Sequence, residues 1–415
     1  MAGRQKHSIG SLGRWVAVVS AFALLAATCK SGGGADNGNP GGPRAVRSPA
    51  PRATGSLRTD GTRIVGPHGK ALRLLGVNLQ GLQFSNDQGS DRRDACNRAW
   101  HLPQQNGQTL RSYGFNTIRL PISWANIEPQ PPTEGSGGSP THHWNEDYLG
   151  AVDRVLDDLG QAKLAVILDM TQFHVSSAFK AGMGNDPGIQ CEGLGYPAWM
   201  YPNARSLSVT EARCDFAADR AEPGVPQKPW DGVSAVWKMI GQRYRDRPGV
   251  VAADVLNEPF FQPQGCQGAD FEGMYKAVGG AVRAVAPRWL LVFQYLPQAF
   301  GAFGIDSPPP FDNSVFSIHI YQPDWDAAKQ EMSEDWTWAQ RWKMPVLVGE
   351  FDAFARVALS GGDWQQQTID MLDWMRDRSW SWTVFPYAGG AAQAQQGISA
   401  KQTFPELIRT LQQGL

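Results

Sequence analysis

The chain has 415 residues, a formal net charge of -1 and 42% apolar residues. That length suits one large domain with extensions, or two ordinary domains. The near-zero charge supplies no field for a nucleic-acid partner, and none is expected.

The N-terminus opens with Arg4, Lys6 and Arg14 ahead of an apolar run from Trp15 to Ala27. This run is short for a bilayer span and has the layout of a secretory signal. Leu25-Ala26-Ala27-Thr28-Cys29 resembles a bacterial lipoprotein signal, with Thr28 where Gly or Ala is usual. Two outcomes follow: membrane attachment through a lipidated Cys29, or ordinary cleavage nearby. Either predicts an extracellular or cell-envelope protein, with residues 1–29 as the signal. Residues 30–56 are Gly, Pro, Ser, Ala and Arg with little to bury, a flexible spacer. Residues 57–415 read as one domain, expected to act as a monomer.

Eight short apolar runs follow: Leu72–Leu79, Phe115–Ile122, Leu164–Met170, Val250–Leu256, Trp289–Phe293, Val315–Tyr321, Val346–Phe351 and Trp382–Tyr387. Most are continuously apolar, as parallel strands covered on both faces must be. Helical spacing separates many of them. Leu149, Val152, Leu156 and Leu159 precede the third run, and Val233, Val236, Trp237, Ile240 and Tyr244 precede the fourth. Phe271, Tyr275, Val278, Val282 and Val285 precede the fifth, Ile369, Leu372 and Met375 the eighth, and Leu407 and Leu411 predict a closing helix. Repeated strand and helix in this order predict an α/β fold, a (β/α)8 TIM barrel. An open doubly wound sheet lacks its Gly-rich phosphate loop here.

About 60 residues, from Thr171 to Asp231, separate the third run from the next helix. A connection this long is expected to overhang the C-terminal face of the barrel. Its apolar stretch Tyr196–Pro202 either lines a channel or packs onto the rim. Cys29 aside, Cys96, Cys191, Cys214 and Cys266 form an even set suited to an oxidising space. Cys191 with Cys214 and Cys96 with Cys266 is the favoured pairing, with free buried thiols as the alternative. No spacing suggests a metal, and no cofactor is expected; His142-His143 in a Gly/Pro-rich loop reads as solvated.

The strand ends carry the chemistry. The second delivers Arg119, the fourth Asn257 and Glu258, the sixth His319 and Tyr321, the seventh Glu350, and the eighth Trp382 or a neighbour. Charged groups at strand ends are costly unless paired, so their convergence in one pocket is expected. Two carboxylates at the mouths of parallel strands are what breaking a glycosidic bond requires. Some of the sixteen tryptophans also suit sugar faces.

With Asp60-Gly61-Thr62-Arg63-Ile64-Val65, Leu75-Gly76-Val77-Asn78, Arg119, Asn257-Glu258-Pro259, His319-x-Tyr321 and Glu350, the domain resembles glycoside hydrolase family 5, the cellulase family. The resemblance implies Glu258 as general acid/base and Glu350 as nucleophile, acting with retention. It implies Asn257 on the sugar 2-hydroxyl, Arg119 and Tyr321 orienting Glu350, His319 against Glu258 or the sugar, and Trp382 as the floor of the subsite beside the cleaved bond. A cationic Arg119 keeps Glu350 charged and leaves the proton on Glu258. One departure stands out. Asp169-Met170-Thr171-Gln172-Phe173-His174 has Thr171 where the family usually carries histidine, so His174 is expected to reach back from the loop, or the subsite is altered. The Asp169 segment, and Arg119-Leu120-Pro121 with Glu128-Pro129, resemble the endoglycoceramidase branch. A β-linked polysaccharide or a glycolipid is the implied substrate. A weak glycan-binding barrel and a transglycosidase are the alternatives.

Overall fold

The computed structural model describes residues 56–84, 106–172, 175–182, 195–259, 266–294, 307–322, 324–351, 363–387 and 400–415. The signal, Cys29 and the spacer up to residue 55 lie outside them, as does His174.

Eight parallel strands close a barrel. They are β1 (Leu75–Leu79), β2 (Thr117–Ile122), β3 (Ala165–Met170), β4 (Val250–Asp254), β5 (Leu290–Gln294), β6 (Ser314–Ile320), β7 (Val346–Phe351) and β8 (Ser381–Tyr387). Each falls on one of the eight apolar runs. The fold is therefore the expected (β/α)8 barrel.

Among the described residues, the helices that accompany the strands include α1 (Asn106–Ser112), α2 (Glu146–Gln161), α3 (Pro229–Tyr244), α4 (Phe271–Val285), α5 (Trp325–Trp342), α6 (Trp364–Asp377) and α7 (Ala400–Gln412). Their starts are written locally. Asn145 caps α2 by accepting from the Tyr148 amide, Asp270 caps α4 by accepting from Gly273, and Pro229 opens α3. The buried stripe of α2 runs Leu149, Val152, Leu156, Leu159, as its spacing predicts. Helices α1 and α5 are additions to the sequence reading. The stripe of α5 is Ala328, Met332, Asp335, Ala339 and Trp342, and an aspartate in its middle hides the period.

Two apolar layers result. Leu79, Phe115, Trp237, Phe293, Phe351 and Trp382 belong to the layer between strands and helices. A smaller cluster with Ile167, Leu290, Val292, Val315 and Leu347 also takes in Ile64, from the small antiparallel sheet of Arg58–Asp60, Arg63–Val65 and Ala71–Leu72, and Leu57 just before it.

The cysteine pairing differs from the expected one. Cys214 bonds to Cys266, with Cα atoms 5.0 Å apart. The helix Val209–Ala217 of the long connection lies against the segment after β4: Arg220 donates to the Gln267 carbonyl at 2.8 Å, and the Asp270 amide to the Ala217 carbonyl at 2.9 Å. That contact, not closeness in sequence, selects the partner. It excludes both Cys191–Cys214 and Cys96–Cys266; Cys96 and Cys191 lie outside the described residues.

The apolar stretch of the same connection packs onto the rim. Tyr196, Met200 and Tyr201 are buried. Tyr196 stacks on Phe216, and the Trp124 ring meets Tyr196 and Trp199 edge to face. His142 is likewise not solvated: its Nδ1 lies 2.6 Å from buried Glu128, and its ring stacks on Trp144.

Candidate active site

Several of the polar side chains that interrupt the apolar strands meet in one cluster. Arg119 of β2 is fully buried. Its Nη1 donates to Glu350 Oε1 at 2.7 Å and to Asn78 Oδ1 at 2.9 Å. Nη2 donates to Asn257 Oδ1 at 2.8 Å and lies 2.9 Å from Asp169 and 3.0 Å from Asp254. Nε donates to Asp254 at 3.0 Å. One planar fork thus joins residues from β1, β2, β3 and β7, from the C-terminal end of β4, and from the residues just after it, which a lysine could not do.

Glu350 receives donors on both oxygens, Arg119 on one and the Tyr321 hydroxyl at 2.5 Å on the other. Burial favours its neutral form, but His319, Arg119 and Tyr321 outweigh burial and hold the carboxyl below its ordinary range. A bulge places it. The β6–β7 register shifts so that Ile318 pairs with Val348 but His319 with Glu350, leaving Gly349 as the extra residue. Gly349 has no room for a side chain: a Cβ there would sit 2.9 Å from His319 Nε2.

Glu258 stands opposite. Its backbone is in the left-handed region, φ 45°, immediately before Pro259. That conformation costs on the order of 1–3 kcal/mol in a non-glycine residue. Gln294 at the end of β5 holds it, accepting from the Glu258 amide at 2.8 Å. Its carboxylate meets His319 Nδ1 at 2.6 Å, and the same nitrogen lies 3.7 Å from Glu350. Burial works against a charged His319, but Glu350 and Glu258 more than offset it, and its pKa is raised.

One ligand atom each from Glu258, His319 and Glu350 lies within 4.8 Å of the others. This is the cluster among the described residues that could hold a cation. Arg119 already supplies the positive charge beside Glu350, so a metal there would meet a fixed guanidinium. The same figure bounds the approach of one oxygen from each carboxylate, which is compatible with the roughly 5 Å spacing of a retaining pair.

The expected residues therefore converge, with exceptions. Arg119, Asn257, Glu258, His319, Tyr321 and Glu350 form one constellation. Asn257 commits Oδ1 to Arg119, so its amide nitrogen is the end left for a ligand. Trp382 does not belong. It is the second residue of β8, fully buried, with its ring edge to face against Phe115 and Phe351. Alternation along a strand turns it outward under the helices. Thr383, one residue on, has its hydroxyl on the Gly349 carbonyl at 2.5 Å. Phe385 is half-buried near the C-terminal end of β8, where the register with β1 shifts. His174 lies outside the described residues. Thr171 turns its hydroxyl onto Asp169 Oδ2, 2.8 Å away.

The sequence assigns no role to Asn78, Asp169, Asp254 or Gln294, although a lone polar residue in an apolar strand was the available signal. Gln172 has none either; its amide donates to the Asn257 carbonyl and ties the end of β3 to that of β4.

Residues 76–389 match the family described as Cellulase (glycosyl hydrolase family 5). An endoglucanase of Paenibacillus polymyxa is 23% identical over 83% of this chain and 83% of its own. An endoglycoceramidase I of Rhodococcus hoagii (strain 103S) is 27% identical over 56% of this chain, which spans only 44% of that longer protein. Among solved structures, an endogalactoceramidase superposes with a TM-score of 0.59 at 20% identity, covering 85% of this chain and 78% of its own.

Proposed function

From the chain's membership of glycosyl hydrolase family 5, which makes it a glycoside hydrolase, we propose that it is an exported retaining β-glycosidase. It cleaves a β-linked polysaccharide or glycoconjugate by double displacement through Glu258 and Glu350. The observation that carries the reading is the asymmetry of the pair. Glu350 is held ionised by Arg119 and Tyr321 on both oxygens, whereas Glu258 is held by His319 alone among the described side chains. An ionised carboxylate with fixed geometry is a nucleophile; a carboxyl with a free oxygen is a proton carrier.

In the first step a Glu350 oxygen attacks the anomeric carbon. The glycosidic bond breaks, and Glu258 gives its proton to the departing oxygen. In the second step Glu258 takes a proton from water, whose oxygen attacks the same carbon and frees Glu350. The Asn257 amide donates to the sugar 2-hydroxyl, and Phe385 replaces Trp382 as the apolar wall. The signal and spacer, residues 1–56, export the barrel and tether it to the envelope where Cys29 is lipidated.

The endoglucanase likeness covers more of both chains, and the endoglycoceramidase likeness has the higher identity. Tyr196, Met200 and Tyr201 of the long connection are spent on packing against the rim. A panel of β-glucans, mannans and glycosphingolipids separates the substrates. The mechanism is tested with aryl β-glycosides. Glu350→Gln lowers kcat by about 10⁴-fold or more on every leaving group. Glu258→Gln does so for poor leaving groups but spares the first step with dinitrophenolate, which needs no proton. Equal losses on both substrate types would sink the division of roles.

A further inference from the structure

The triplet Asn257-Glu258-Pro259 is held from two sides. From β3, the Met170 carbonyl accepts from the Asn257 backbone amide at 2.9 Å, and the Gln172 side chain donates to the Asn257 carbonyl. From β5, Gln294 reaches both Asn257 and Glu258, and the strand behind them. Its Oε1 accepts from the Glu258 backbone amide at 2.8 Å. Its Nε2 donates to Asp254 Oδ2 at 3.2 Å and to Asn257 Oδ1 at 3.4 Å. Only this setting of the side-chain amide puts its oxygen on the donor and its nitrogen on the acceptors. Gln294 is 4% exposed, and the Tyr275 hydroxyl of α4 donates to its carbonyl at 2.5 Å. It shares the parity of Leu290 and Val292 on β5, which belong to the smaller apolar cluster, so the strand turns it to the same side.

We propose that Gln294 is a positioning residue for the acid/base: through the Glu258 backbone amide it fixes where the Glu258 carboxyl stands against the departing oxygen. This rests on Glu258 being that acid/base. The Glu258 backbone is left-handed, φ 45°, a conformation that a non-glycine residue keeps only where its surroundings over-determine it. Pro259 follows and has no N–H, so the Glu258 amide is the last backbone donor of the triplet. Gln294 takes that donor. The Glu258 side chain is 16% exposed and hydrogen-bonds to His319 Nδ1, so the direction of its backbone largely sets its reach. Other side chains do only part of the task. A glutamate at 294 would turn a further carboxyl onto Asp254, and an asparagine falls one methylene short. An apolar residue leaves both the Glu258 amide and Asp254 a partner poorer.

Gln294→Met keeps the length and removes both arms. On an aryl β-glycoside with a poor leaving group its kcat/KM should fall about 10–100-fold, the scale of loss for a displacement of about 1 Å at a reacting group. On a dinitrophenyl β-glycoside, whose leaving group needs no proton, kcat/KM should stay within about threefold of wild type. A loss of folded protein would lower both alike, so the split between the two substrates is the readout. An equal loss on both, or no loss on either, would overturn the proposal. If Gln294→Met does not fold, Gln294→Asn, still polar but too short to reach the Glu258 amide, should give the same split, and the same two results would overturn it. Glu258→Gln is measured beside them. If it splits the substrates and the Gln294 variants do not, Gln294 has no positioning role. If Glu258→Gln itself loses both equally, the acid/base reading fails and the role of Gln294 fails with it.

Discussion

The molecule buries acids in two places and treats them differently. In the barrel mouth, Asp169, Asp254 and Glu350 surround Arg119. On the inner face of α5, Asp335 is 1% exposed and neither of its oxygens finds a hydrogen bond among the described residues. Glu331, one turn earlier, has one buried oxygen in the same state. Burial raises Asp335 well above the ordinary carboxyl range, with Glu331 and Glu334 adding to the rise, and brings Glu331 to about 8. Comparable burial thus leaves Glu350 below the ordinary carboxyl range in one place and Asp335 above it in the other. What sets Glu350 apart is His319, Arg119 and the Tyr321 hydroxyl beside it, not its depth.

The sharpest way to break this contrast is to remove the cation. Arg119→Met leaves three buried carboxylates with no guanidinium and should cost about 3–5 kcal/mol at pH 7, measured by denaturant unfolding. The cost should shrink at pH 5, where protons can neutralise the mouth. A loss no larger than that of a surface substitution would mean that the mouth resembles α5 after all. Tyr321→Phe is the gentler cut. It removes one hydrogen bond to a charged oxygen, about 1.5–3 kcal/mol, and should lower kcat roughly 10–100-fold. With one donor fewer, Glu350 protonates more readily, so the acid limb of kcat/KM moves to higher pH.

A third substitution tests the other side. Acids whose pKa is raised on folding bind more protons in the folded state. Their folded form is therefore best supported below the ordinary carboxyl range near 4 and weakens as pH rises toward 7 and 8. Asp335→Asn removes one such group. It should stabilise the protein at pH 8, by on the order of 1 kcal/mol per pH unit relative to pH 5, followed as Tm against pH. A destabilisation that does not vary with pH would show that Asp335 is ionised and paired.

Much of the fold was legible because parallel strands in a (β/α)8 barrel are buried on both faces and so read as unbroken apolar runs. All eight were readable on that ground. Helix α5 was not, because Asp335 sits where the stripe calls for an apolar residue. Within the site, Arg119, Asn257, Glu258, His319, Tyr321 and Glu350 were legible from chemistry at strand ends. Trp382 was misassigned because residue type was weighed ahead of strand parity. Asp169 and Asp254 were present in the text as acids inside apolar runs, but their shared contact with Nη2 is a matter of register between strands. The disulfide failed for a similar reason: Cys214 is nearer Cys191 in sequence but bonds to Cys266.

The sequence alone determined the order and number of strands, the helix caps, and the two glutamates about 90 residues apart. These depend on period and on residue type, which are local. Only the tertiary structure decided which oxygen of each acid has a donor, which face of β8 meets the cavity, and which cysteines touch. These depend on register and on closure of the barrel, which bring β2, β4 and β7 around a single guanidinium. The distinct roles proposed for Glu258 and Glu350 follow from that convergence, since nothing in either glutamate's own neighbourhood in the chain distinguishes an acid from a nucleophile.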